Sequence, residues 1–133
     1  MDGVEIIADG GRPLCYIVRS TLCPDRTLFV TPPEFKQQVG FVVYPKGGQI
    51  LPHTHRLLER RIVGTSEVLI VQRGRCELDI YNREHELVAT RELRPGDVML
   101  MVDGGHGFRM LDDTILLEVK QGPYAGVDEK ERF

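Results

Sequence analysis

Tryptophan is absent from this chain, aromatic residues make up 7% of it, and only three cysteines occur in 133 residues. An odd number of thiols with no C-x-x-C pair does not make a disulfide scaffold. Cys15, Cys23 and Cys76 therefore read as reduced thiols of a cytoplasmic protein. No apolar run approaches the roughly 18 residues that span a bilayer, so no membrane partner is expected. An excess of one charge is missing too: 17 Lys+Arg against 20 Asp+Glu give a net charge of −3. With no basic stripe to neutralise phosphates, nucleic acid is not an expected partner. The opening stretch MDGVEIIADGG carries acids where a signal peptide wants lysines, so export is not expected either. Helical periodicity is scarce. Only Pro32–Gln38, with Thr31 as a cap, reads as a helical turn.

What is present is a series of short runs rich in Val, Ile, Leu, Phe and Tyr, cut by Gly, Pro, Asn and Asp. They place strands at Leu14–Val18, Val39–Tyr44, Gln49–His55, Glu67–Gln72, Cys76–Tyr81, Leu87–Leu93, Asp97–Val102, His106–Leu111 and Thr114–Lys120. Strands this short, at this spacing, predict an all-β antiparallel sandwich or barrel. The length allows one domain, 1–133, with an N-terminal arm 1–38, a core of about 39–120 and a polar tail 121–133 lying across the outside. In Glu67–Gln72 the two alternating faces are both mostly apolar, so the strand is expected to be buried on both sides. A carboxylate starting such a strand is costly to bury unless it is paired or bound to a cation.

Histidine is the residue whose placement suggests chemistry. His53 and His55 stand two apart in an expected strand, which projects both imidazoles from one face at Cα positions about 7 Å apart. Such a pair can grip one ion, and imidazole suits Zn, Fe, Ni, Cu and Mn. The plainer alternative is two strand histidines that are solvated or bonded to backbone. His106 follows Asp103-Gly104-Gly105, a tight turn that sets one imidazole back over the sheet, and His85 lies in a polar turn as a solvated residue.

On these residues the chain resembles the cupin superfamily. Gly47 is followed by five residues and then His53-Thr54-His55, and Glu67 by six residues and then Gly74. Gly96-Asp97, an apolar stretch, a small-residue turn and His106 are similar to the second cupin motif. Leu117–Tyr124 followed by Asp128-Glu129-Lys130 resembles the ending of small cupin-fold metalloproteins found with polysaccharide-biosynthesis genes. The resemblance covers residues from about 40 to 133 and implies a double-stranded β-helix, or jelly-roll, barrel. It implies one divalent transition metal (Fe, Mn, Ni or Zn) held by His53, His55, Glu67 and His106, and a homodimer. Two departures stand out. The spacer from His55 to Glu67 is eleven residues, longer than the family's usual one, and Glu59 stands at the usual distance. Glu67 is preferred because a strand sets its distance to Gly74, whereas a loop that tolerates insertions separates it from His55. The second motif is one residue short, lacks its usual proline and has Met110 where asparagine is common.

A pocket for a small-molecule ligand is expected from Leu51, Leu69, Val71, Phe108 and Met110, with Arg56 at its rim; Arg56, Arg60 and Arg61 are either a solvated charge run or a lid for an anionic substrate. Arg109 alternates out of the pocket. Glu118 and Lys120 share one face of the last strand and are read as facing solvent; facing inward, they would form an acid–base pair beside the metal. The resulting expectation is a metal-dependent enzyme on a small oxygen-rich molecule, a sugar or keto acid. A non-catalytic binding or sensing module and a metal-free sugar-nucleotide isomerase are the rivals, and whether the chain catalyses anything stays open.

Overall fold

β-Branched and aliphatic runs interrupted by glycine turns become antiparallel strands, and no α-helix forms in the computed structural model, which describes all 133 residues. In chain order the strands are β1 (Val4–Asp9), β2 (Arg12–Val18), β3 (Leu28–Phe29), β4 (Gly40–Phe41), β5 (Glu67–Arg73), β6 (Cys76–Tyr81), β7 (Leu87–Leu93), β8 (Val98–Met101), β9 (Gly105–Met110) and β10 (Ile115–Lys120). They fall into two compact units: Met1–Leu22 with Thr65–Phe133, and Cys23–Gly64.

The first unit carries a five-stranded sheet ordered β1-β2-β8-β5-β10 and a three-stranded sheet ordered β7-β6-β9. The sheets are not closed into a barrel. Their facing sides share one core, to which Cys15, Ile17, Leu69, Val71, Met99 and Met101 come from the larger sheet and Cys76, Leu78, Ile80 and Leu93 from the smaller. Residues directly opposite in neighbouring strands lie on one face of a sheet. Thus Leu69, opposite Met99 and Glu118, puts Glu118 on the core side of β10. Likewise His106 opposite Ile80 and Phe108 opposite Leu78 face the core from β9. On the other side of the smaller sheet, Arg109 forks onto Asp79, which also accepts from the Thr90 hydroxyl, so Arg109 does alternate away from the core.

Three turns hold this frame. Gly10 and Gly11, both at positive φ, close the β1–β2 hairpin, which turns the expected N-terminal arm into a paired edge strand. Gly74 turns β5 into β6 at φ 84°. The Gly96-Asp97 turn is pinned by the buried Asp97 carboxylate, which accepts from the Arg19 side chain at 3.0 Å, the Ser20 amide at 2.8 Å and the Arg94 amide at 2.9 Å. Asp97 is thus satisfied entirely by structural partners.

The second unit pairs only β3 with β4. No strand forms between Phe41 and Glu67, so the expected strand Gln49–His55 is absent. Pro52 has no N–H for a ladder, and the His53 ring bonds back to the Leu51 carbonyl at 2.8 Å, a local contact in place of a cross-strand one. The expected helical turn Pro32–Gln38 is likewise a non-helical turn. Gln38 turns back on it, its side-chain amide donating to the carbonyls of Pro32 and Phe35, while the Thr31 hydroxyl donates to the Gln38 side-chain oxygen instead of capping.

Candidate functional site

The first unit contains a cavity of about 640 Å³, within the usual range for small-molecule sites. β5 and β9 each bring one polar side chain to it from the core-facing side: Glu67 at the start of β5 and His106 just after the Gly104-Gly105 turn. Gly104 adopts φ 71°, and an added Cβ there would collide with the Tyr81 carbonyl oxygen, so the turn is possible only because the side chain is absent. Glu67 Oε2 lies 3.2 Å from His106 Nε2, with 12% of the glutamate side chain and 26% of the histidine side chain exposed. The hydrogen bond from His106 holds the Glu67 carboxyl below its ordinary range; burial opposes this, while a hydrogen bond with Glu118 and the charge of Lys130 support it. Leu69 and Phe108 supply apolar wall, and the Phe108 ring meets the His106 imidazole edge-on at 5.8 Å.

Donor spacing tests whether such a pair fits a metal. Nitrogen and oxygen ligands sit about 2.0–2.2 Å from a first-row ion, so two of them at right angles stand about 3 Å apart. Glu67 and His106 meet that spacing, and a carboxylate with an imidazole is a donor set for Fe, Mn or Zn. Neither unit by itself gathers three or more His, Cys, Asp or Glu side chains arranged to hold an ion. His53 and His55 lie in the second unit, exposed, with ring centroids 5.3 Å apart and planes at 65°. Glu59, Arg56, Arg60 and Arg61 are exposed in the same strand-free stretch.

The other expected pocket residues separate. Leu69 and Phe108 line the cavity, and Val71 is buried in the core below it. Leu51 in the second unit is 74% exposed and Met110 is 53% exposed. Met110 follows Phe108 by two residues, but it ends β9, an edge strand of the smaller sheet. Glu118, read from the sequence as facing solvent, is exposed and borders the open cavity beside Glu67, whereas Lys120 turns its ammonium over the Tyr124 ring, 5.7 Å from the centroid. The acid–base pair of Glu118 and Lys120 is therefore replaced by a carboxyl pair, Glu118 with Glu67. Sequence reasoning missed Tyr81 and Phe133, which also border the cavity. Tyr81 is placed there by its pairing with Gly105 across the β6–β9 ladder, a register that no local pattern announces.

No family model, curated protein or solved structure matches this chain.

Proposed function

We propose that this chain is a cupin-type metal-binding protein that acts on a small oxygen-rich molecule. The observation that carries the reading is the Glu67–His106 pair, held at 3.2 Å on the wall of a cavity of about 640 Å³. Glu67 and His106 would hold one divalent transition metal, Fe, Mn, Ni or Zn, and their approach matches two adjacent coordination positions. His53 and His55 enter the proposal from the His-x-His register of the sequence alone, as does the finer jelly-roll description of the fold. A homodimer belongs to the same resemblance. When bound, such an ion supplies a Lewis acid for a carbonyl or enol oxygen, or a centre for oxidation. The chain's own residues do the rest. Without an ion Glu67 holds the His106 ring in place, Glu118 stands beside Glu67 on the cavity wall, and Leu69 and Phe108 supply its apolar side.

A second reading has an observation of its own. A carboxylate bonded directly to an imidazole is also the geometry of a general-base dyad that needs no ion, as a metal-free isomerase would use. Competitive metal loading of Glu67→Gln and Glu59→Gln separates the possibilities. The proposal expects Glu67→Gln to lose affinity by about ten- to a hundredfold and Glu59→Gln to keep it. Loss in Glu59→Gln with retention in Glu67→Gln would move the ligand to the His-x-His spacing. No saturable binding by the unaltered chain would leave the dyad.

A further inference from the structure

The segment after β10 crosses the rim of the cavity: residues 129–133 form part of its wall. Its attachment is of an unusual kind. Gln121 is fixed at the near end, where its side-chain oxygen accepts from the Ser66 amide at 2.6 Å. Beyond it, the backbone hydrogen bonding of the segment is local, from Glu129 to Gly126. No ladder bond ties residues 122–133 to either sheet. At the far end the Phe133 ring lies flat on His85, with centroids 3.9 Å apart and planes within 4°, and meets Tyr81 edge-on at 5.0 Å.

Both sides of this contact are shaped for it. His85 holds φ 65° in the Asn82–Glu86 turn, a left-handed conformation that histidine, like asparagine and aspartate, adopts more readily than most side-chain-bearing residues. Gly105 has no side chain where a Cβ would stand 2.9 Å from the Phe133 ring. Between the two ends, the charge of Lys130 acts on the Glu67 carboxylate inside the cavity. Phe133 nevertheless keeps 61% of its surface exposed, so the ring is seated but not buried.

We propose that residues 122–133 are a strap over the cavity, hinged at Gln121 and latched by Phe133 on His85 and Tyr81, and that release of this latch admits the ligand. A segment with no ladder bonds opens without disturbing the sheets, and the contacts of the Phe133 ring with His85 and Tyr81 set how often its far end does so. The strap serves whatever occupies the cavity. It rests on the cavity being the ligand site, not on the ligand being a metal.

The test compares the unaltered chain with Phe133→Ala, His85→Asn and Phe133→Tyr. Asparagine tolerates the left-handed backbone at position 85 while removing the ring. Two readouts are taken under native conditions: trypsin cleavage after Lys130, which follows the open population, and diethyl pyrocarbonate labelling of His106, which follows access to the cavity. His53 and His55, exposed in the second unit, give the internal reference for reagent strength, and the buried Cys15 thiol, unlabelled in a folded chain, reports integrity. Both rates should rise roughly two- to tenfold in Phe133→Ala and His85→Asn and stay at the unaltered value in Phe133→Tyr. Unchanged cleavage in both ring-deleting variants would overturn the latch. Faster cleavage with unchanged His106 labelling would overturn the strap's role in access. Neither readout uses a metal, so failure of the strap and failure of metal binding are seen separately.

Discussion

The Glu67 carboxylate is the residue on which burial and chemistry pull in opposite directions. Removing it from water favours the protonated form, yet His106, Glu118 and Lys130 together hold its affinity for protons below the ordinary value. The consequence for stability has a definite sign. A carboxylate whose folded-state pKa is depressed stabilises the fold fully above its unfolded value of about 4.3, and that contribution disappears as pH falls through the lower folded value. Glu67→Gln cannot lose what it never had. In chelator-treated protein, its urea midpoint should therefore fall less steeply with acid than that of the unaltered chain, from about pH 5 downward. Parallel acid limbs for the two proteins would show that the His106 contact contributes nothing to folding. The same residue shows how far the sequence could be read. An acid opening a strand apolar on both faces was visibly anomalous, and its partner is one of the histidines singled out. The motif resemblance set His106 beside Glu67, whereas local spacing does not, because the two residues lie on different sheets.

Elements were legible wherever a turn residue and an apolar alternation agreed. β5, β6 and β7 begin where the pattern places them, because the Gly74 turn and the polar Asn82–Glu86 turn separate them and the sheets bury their apolar residues. β1 was missed as a strand even though Gly10-Gly11 between two apolar runs is a strong hairpin signal. The Gln49–His55 segment failed for the opposite reason: its residue types suit a strand, but Pro52 removes a donor and no partner edge is supplied. Three glycines of the cupin-like pattern, Gly47, Gly74 and Gly96, do all adopt positive φ, so the pattern recorded backbone shape even where the strand beside it is absent. Space around a glycine sets its tolerance. An added Cβ at Gly47 meets nothing within 4 Å, so Gly47→Ala should cost only the left-handed backbone penalty of about 1–2 kcal/mol. Gly104→Ala adds a collision with the Tyr81 carbonyl next to the strand that carries His106, and should cost about 2–4 kcal/mol. Equal unfolding midpoints for the two variants would contradict this ranking.

At the scale of the whole molecule, the all-β prediction is right and the closed barrel is not what forms: two facing sheets build the core of one unit, and a short hairpin belongs to the other. No helix is long and apolar enough to cross a membrane. Local sequence carries period-2 alternation and turn chemistry, which settle strands and hairpins. How the sheets meet depends on side-chain packing between segments far apart in the chain, and no local pattern encodes it. The Glu67–His106 pair is such a product of packing, and the account stands on its ability to hold an ion. Equilibrium dialysis of the unaltered chain and of His106→Ala against Mn, Fe, Ni and Zn, read by elemental analysis, tests this most directly. The account predicts about one equivalent of one of these metals on the unaltered chain and most of it lost in a folded His106→Ala. Equal metal content in the two proteins would contradict it.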